Sequence, residues 1–448
     1  MYYRIEFAIK LDVAQINDWS IIGIYIWPLN KYLHGRKMTE IANVTAVVTT
    51  GGYYFDDKEA IVSNAERDGF LYKGKAITPG FTDVRQPAEA ASVIIELEDG
   101  RTALGDCTAV QYSGFGGRDA FFTAEDHLDE IETTISEALV GRDASAFTTN
   151  VEILSDIADT EELHTAVRYG VSQALLDAAA TASAQTMTEV ITDEYSIDRS
   201  PQPVPIFCQS GSDRRRNAEK MILKEVPVLP HGLFNSVDEI GQEGERLLGY
   251  LDWLSDRVTE LGSPEYDPTF HVDIYGTVGE IFAPPYDRDE VIDYFAALDD
   301  AASPYSLQIE SPIEAGSRDE QIHVLGALRD ALTECSVPVD IIADEFCNTY
   351  DDVTAFVDSG AVDVAQIKTP DLGEITASID AVQYCENTDT RAYLGGSCAE
   401  TDVSARVCAQ MALATQPEQI LAKPGMGVDE GYQIIANEMA RTSYRISN

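Results

Sequence analysis

Phe270-His-Val-Asp273, Leu307-Gln-Ile-Glu310, Ile341-Ile-Ala-Asp344 and Ala365-Gln-Ile-Lys368 are four short apolar runs, each closed by a charged residue. The charged positions are separated by 37, 34 and 24 residues, each close to the length of one strand with its returning helix. The runs belong to a longer series of expected strands: Val204–Cys208, Met221–Leu223, Phe270–Ile274, Leu307–Ile309, Val339–Ala343, Val362–Ile367, Ala392–Gly395 and Gln419–Ala422. Helical patterns over Glu245–Leu261, Arg288–Leu298, Arg318–Leu332, Tyr350–Asp358 and Glu374–Cys385 separate most of them. Strand alternating with helix predicts parallel βα units, and seven or eight such units close into a barrel more readily than they extend an open sheet. A doubly wound sheet is the competing architecture, but the first strand is not followed by the Gly-x-Gly-x-x-Gly that a dinucleotide site needs.

Upstream the pattern changes. Ile41–Val48, Ser92–Leu97 and Thr102–Ala109 read as strands, and Asp119–Leu139 and Leu163–Ala182 as helices, which predicts an α+β domain over residues 38–199. Arg199-Ser-Pro-Gln-Pro-Val-Pro breaks any helix and is the natural linker to a barrel domain over residues 200–448. Residues 1–37 differ in composition from all of this: five Lys/Arg against three Asp/Glu give +2, whereas the remainder carries 26 against 74, or −48. This segment is expected to be an extension outside the fold, with translation starting at Met38.

The 448 residues are 44% hydrophobic and carry a formal charge of −46 spread along the chain. Such a surface repels nucleic acid and anionic lipid, so neither is an expected partner, and dispersed Asp and Glu suit a halophile's cytoplasm. Seven cysteines without paired spacing argue against a disulfide framework and for a reducing compartment. The apolar run Ile21–Leu29 is too short to span a membrane and lacks a small-residue cleavage site.

In a barrel, residues at the carboxyl ends of neighbouring strands share one mouth, where active sites sit. Any one strand-end acid reads equally well as a cap or a solvated side chain, but four charged ends in succession do not. Asp273, Glu310 and Asp344 would repel one another there, and a hard divalent cation relieves that repulsion. All-oxygen ligation favours Mg2+ over zinc. Lys368, beside a divalent charge and partly buried, is expected to have a lowered pKa and to act as a base. A metal beside a base suits removal of a proton next to a carboxylate, with the metal stabilising the enolate.

Several segments then carry a resemblance: Asp273-Ile-Tyr-Gly-Thr, Ile309-Glu-Ser-Pro, Ala343-Asp-Glu-Phe-Cys-Asn-Thr, Gln366-Ile-Lys-Thr-Pro-Asp-Leu-Gly and Lys423-Pro-Gly-Met-Gly-Val-Asp-Glu-Gly. Together with Phe55-Asp-Asp and Ala109-Val-Gln-Tyr-Ser-Gly-Phe-Gly-Gly-Arg-Asp, they resemble the methylaspartate ammonia-lyase family from residue 38 to about 440. The resemblance implies an enolase-superfamily capping domain followed by a modified (β/α) barrel, a homodimer, Mg2+ and a monovalent cation such as K+. It implies elimination of ammonia from the amino dicarboxylate (2S,3S)-3-methylaspartate to give mesaconate. Asp273, Glu310 and Asp344 would ligate the metal, and Lys368 would remove the C3 proton. His231 in Val228-Leu-Pro-His would be a second acid–base residue on the opposite face, serving the (2S,3R) epimer; taken alone, it reads as a packing residue in a loop. Gln111, Gln209 and Gln366 would hold the substrate's carboxylates and amino group, as would Ser397, Cys398 and Ala399 in Gly395-Gly-Ser-Cys-Ala. The family has Thr where Ser397 stands, a departure that keeps the hydroxyl and loses a methyl. The resemblance also implies a place after glutamate mutase, in glutamate degradation or in acetate assimilation through methylaspartate.

Three rivals have distinct signatures. A racemase, cycloisomerase or acid-sugar dehydratase of the same superfamily often carries Lys-x-Lys on an early strand, where Met221-Ile-Leu-Lys has Ile222 at the first lysine position. A thiol nucleophile at Cys398 lacks a His or Asn to activate it. A noncatalytic acidic binding protein leaves the four strand-end charges without a purpose.

Overall fold

The computed structural model describes residues 39–448 apart from Asn64 and Gly116, so the segment 1–37 lies outside the described residues. Strands β1 (Ile41–Asp56), β4 (Arg85–Leu97) and β5 (Thr102–Cys107) form an antiparallel sheet in the order β1-β4-β5, and β2 (Glu66–Asp68) pairs with β3 (Leu71–Lys73) as a hairpin. Ala91, Val93, Ile95 and Leu97 alternate along β4 and are buried, the period of two that commits one face of a sheet to a core. The helix Thr165–Ser183 covers that face, and the backbones come close where Gly105 meets Gly170. A Cβ on Gly105 would lie 2.1 Å from the Gly170 carbonyl oxygen and one on Gly170 would lie 2.3 Å from the Cys107 nitrogen, so any side chain at either position would push the helix off the sheet.

Eight parallel strands then close a barrel: β6 (Ile206–Phe207), β7 (Val228–His231), β8 (Thr269–Asp273), β9 (Leu307–Glu310), β10 (Val339–Ala343), β11 (Val364–Ile367), β12 (Arg391–Leu394) and β13 (Gln419–Leu421). Phe207, Val228, Ile342, Val364, Tyr393 and Leu421 fill the interior as one cluster, which makes the barrel a packed core rather than a pore. His271 joins that filling, stacked on Phe207 at 4.0 Å between ring centroids. Truncating a fully buried ring such as Phe207 to Ala would cost about 3–5 kcal/mol through lost burial and the cavity left behind. Among the described residues no helix is long and apolar enough to cross a membrane.

The predicted barrel stands, with one strand misplaced. Met221–Leu223, expected as the second strand, is the end of the helix Arg214–Leu223, and the second strand is β7. A three-residue apolar run cannot distinguish a strand from the buried edge of a helix; Met221 and Ile222 are buried from the helical side, while Leu223 is exposed. The Lys-x-Lys comparison at Ile222 therefore rested on a helix. The strand it sought ends in His231, which is a strand-end residue and not part of a loop. Two further boundaries move: β1 runs on to Asp56, and the helix expected from Asp119 starts at Ala124 and passes through a wider π turn at Ile131–Ile135.

Candidate active site

The strands deliver their last residues to one place. His231 ends β7, Asp273 ends β8 and Glu310 ends β9, while Asp344 and Lys368 directly follow β10 and β11. Parallel pairing puts Asp273 opposite Glu310 and His231 opposite Val272. All five side chains line one cavity at the carboxyl mouth of the barrel, together with Gln209, Gln366, Ser397 and Cys398. The N-terminal sheet domain closes this cavity with Lys58, Gln111, Tyr112 and Arg118. In the closed strand order, β7 and β11 lie four places apart. His231 and Lys368 therefore reach the cavity from opposite walls.

Charge dominates the site. Five carboxylates line the cavity, Asp273, Glu310, Glu314, Asp344 and Glu345, against the cations Lys58, Arg118 and Lys368. Arg118 is engaged elsewhere, donating from Nε to Asp371 at 2.7 Å. Burial, and then the neighbouring Asp273 and Asp344, push the Glu310 carboxyl well above its ordinary range. Burial with Asp344 and Asp273 pushes Glu345 up to about 7. Lys368 Nζ makes a close ion contact with Asp344. Burial pushes the Lys368 ammonium towards neutrality, but Asp344, Asp371 and Glu345 together outweigh it against Arg118 and hold the pKa above the usual lysine value. The lowered pKa expected of Lys368 presupposes a divalent charge beside it; the carboxylates act in the opposite sense, each favouring the ammonium form that such a charge would disfavour.

The donor set fits a hard divalent cation. His231, Asp273 and Glu310 each offer one ligand atom within 4.8 Å of the others, and His231 Nε2 is 3.3 Å from Asp273 Oδ2. Glu310 is held from behind. Gln419 Nε2 lies 2.7 Å from His271 Nδ1, and His271 Nε2 lies 2.6 Å from Glu310 Oε2. With the amide donating to Nδ1, the ring proton sits on Nε2 and points at the carboxylate, the usual way a ligating group is oriented from outside the metal's own shell. Gln366 Nε2 donates to the other Glu310 oxygen. Asp344 faces Lys368 in this arrangement and stands outside the His231, Asp273 and Glu310 group.

The expected substrate-binding residues divide in two. Ser397 Oγ accepts from the backbone N–H of Gln111 at 3.0 Å and of Ala399 at 3.2 Å, so its own proton is left to donate, to the neighbouring Cys398 sulfur or to a carboxylate in the cavity. Gln209 Nε2 and His231 Nδ1 are buried without a partner, a costly state that a bound anion or amine relieves. Gln111 spends one amide proton on Asp56, at 2.7 Å, and accepts from the Cys398 thiol on Oε1 at 3.3 Å, which leaves its second amide proton for a ligand. Arg85 pins that Asp56 with two bonds of 2.6 Å. Burial raises the Cys398 thiol far above its usual range, so it stays protonated and is no nucleophile. Ala399 contributes backbone, its N–H bonding Ser397 and its carbonyl accepting from Gly52 N–H at 3.0 Å. Sequence reasoning gave no role to Lys58, Glu314, Tyr275 or Glu345, which line the same mouth. Tyr275 and Glu345 sit one or two positions past a strand-end acid, the signal that was there to be followed.

The methylaspartate ammonia-lyase N-terminus model matches residues 39–196, and the methylaspartate ammonia-lyase C-terminus model matches residues 198–447. The chain is 54% identical over 409 residues to the methylaspartate ammonia-lyase of Haloarcula marismortui, covering 90% of this chain and 97% of that one. The crystal structure of the Citrobacter amalonaticus enzyme containing (2S,3S)-3-methylaspartic acid superposes with a TM-score of 0.89 at 47% identity, over 91% of this chain and all of that one (100%). The β-methylaspartase of Clostridium tetanomorphum, solved as a Mg complex, gives 0.85 at 44% identity, over 91% of this chain and 99% of that one. Muconate cycloisomerase from Pseudomonas fluorescens shares the fold alone, at 15% identity and a TM-score of 0.56 over 84% of each chain. A barrel mouth with an acidic cluster between two opposed bases, and family matches running through both domains, have one common source: the chain belongs to the methylaspartate ammonia-lyase family.

Proposed function

We propose that this chain eliminates ammonia from (2S,3S)-3-methylaspartate to give mesaconate, with Lys368 removing the C3 proton and His231 serving the opposite face. The observation that carries this reading is the opposition of the two bases across the cavity, on β11 and β7. A proton on C3 points to one wall at a time, so each base can serve one C3 configuration. The C–H electron pair moves first onto the adjacent carboxylate as an enolate and then forms the C2–C3 double bond as the C2–N bond breaks, and the nitrogen leaves as ammonia. Asp273 and Glu310 would hold a Mg2+ ion, with Asp344 as third ligand once it turns from Lys368, leaving His231 as a base; the ion would supply positive charge where the substrate carboxylate becomes more negative. Burial then favours the neutral amine of Lys368 that the proton transfer needs. Ser397 and Gln209 donate to the substrate's carboxylates, and Gln366, Gln111, Cys398 and Ala399 complete the pocket that holds its carboxylates and amino group.

The same reading includes a monovalent cation such as K+, a homodimer, a capping domain over 38–199 and a catalytic barrel over 200–448. It places the protein in the cytoplasm, in glutamate degradation or acetate assimilation. All seven cysteines are free thiols, which agrees with a reducing compartment. The test is a pair of variants assayed on both epimers. Lys368→Ala should lose about 10²–10⁴-fold on the (2S,3S) substrate, while His231→Ala loses chiefly the (2S,3R) reaction. Equal losses on both epimers would contradict the division of labour.

A further inference from the structure

His231 stands on unusual backbone. Its φ is +65°, and Gly232 and Leu233 follow at +89° and +49°. Three successive residues in the left-handed region, two of them with a Cβ, cost free energy and persist only where neighbours hold them. The middle position accepts little but glycine, since a Cβ there would lie 2.6 Å from the Phe234 ring. The carbonyls that this turn exposes are taken by one side chain. Arg214, on the helix Arg214–Leu223 that follows β6, donates from Nε to Gly232 O and from Nη2 to Leu233 O, the latter at 2.5 Å. Its guanidinium lies 4.2 Å from the centroid of the Phe234 ring. Glu239 fixes it from the other side, with Oε2 at 2.6 Å from Arg214 Nη2 and 3.2 Å from the Asn235 nitrogen. Beyond the turn, Phe234 N–H donates to Asp273 O at 3.2 Å, tying the segment to the next strand end.

We propose that Arg214 is a positioning residue for His231: its guanidinium clamps the left-handed turn His231–Leu233 and so sets the imidazole on the wall opposite Lys368, which makes it a determinant of how well the chain handles the (2S,3R) substrate. The inference rests on the two-wall reading above. The planar guanidinium reaches two carbonyls, a ring face and a carboxylate together, a set no lysine can reproduce. Arg214 is absent from the residues lining the cavity, so its effect passes through His231 and spares the Lys368 wall.

The experiment compares wild type, Arg214→Met, Arg214→Lys, Glu239→Gln and His231→Ala on the two epimers, with melting curves for each. Arg214→Met keeps most of the stem and loses the clamp; it should lose about 10- to 100-fold in kcat on the (2S,3R) substrate, the cost of a base displaced by about an ångström. Its KM, and its rate on the (2S,3S) substrate, should stay within about threefold of wild type. Arg214→Lys and Glu239→Gln should move the epimer ratio the same way by less, and they carry the test if Arg214→Met does not fold. An unchanged ratio in the folded Arg214 variants beside a shifted ratio in His231→Ala overturns the clamp and leaves the two-wall reading intact. Equal loss on both epimers makes Arg214 merely structural and also overturns it. An unshifted ratio in His231→Ala removes the two-wall reading itself.

Discussion

Glu345 shows how much of this site is held against its own charge. Its carboxyl is raised to about 7 by burial and by Asp344 and Asp273, so the folded protein binds a proton there more tightly than the unfolded chain does. Stability from that group is fully present below the unfolded carboxylate value and is lost as the pH climbs through about 7. The protein stripped of divalent cations should therefore melt at progressively lower temperature between about pH 5 and about pH 8, and Glu345→Gln should flatten that slope. A slope unchanged in the variant would place the titration elsewhere. Replacing Glu310 with Ala should abolish turnover and Mg2+ dependence together, since it removes a proposed ligand, the carboxylate that His271 and Gln366 orient; calorimetry with Mg2+ alone checks the binding part. The strand-end acids were legible in the sequence because each closes an apolar run. The contact of Lys368 with Asp344 and the closeness of His231 to Asp273 were not, because they depend on which strand ends neighbour which and on side-chain rotamers.

At the scale of an element, the loop after β12 rests on a buried ion pair. Lys423 and Glu400 are both fully buried, and Lys423 Nζ donates to Glu400 at 2.8 Å, Gly395 O at 3.0 Å and Thr369 at 3.1 Å. Glu400 in turn accepts from Ser397 N–H at 2.8 Å and from Tyr169 of the capping domain at 2.7 Å. The hydroxyl offered by Ser397 thus depends on a carboxylate that contacts both domains. Glu400→Gln would leave Lys423 charged and uncompensated inside the protein, so it should cost about 3–5 kcal/mol in denaturant unfolding. It should also raise KM, because the Ser397 loop loses its anchor; a wild-type KM would show that the loop holds without it. Strands with several β-branched or aliphatic residues, such as Val339–Ala343, were found to the residue. The second barrel strand was missed because Val228-Leu-Pro-His is four residues long and contains a proline, while the apolar end of the preceding helix supplied a better-looking run.

Across the whole molecule, a formal charge of −46 opposes compactness. Added KCl, from about 0.1 M to about 2 M, should raise the melting temperature as the Debye length falls from about 10 Å to below about 3 Å. A melting temperature that falls with salt would contradict an acidic surface adapted to it. The barrel and the N-terminal strand and helix domain were legible from periodicity, which depends on local pattern. How the capping domain completes the site was not, because Gln111, Arg118 and Lys58 reach the cavity only through tertiary closure. The reaction itself is tested most directly by following the ultraviolet absorbance of mesaconate when purified protein meets (2S,3S)-3-methylaspartate with Mg2+ and K+. The expected result is steady formation of mesaconate with release of ammonia in equal amount, stopped by a chelator and restored by Mg2+. No mesaconate in the presence of both ions, or undiminished turnover in excess chelator, would contradict it.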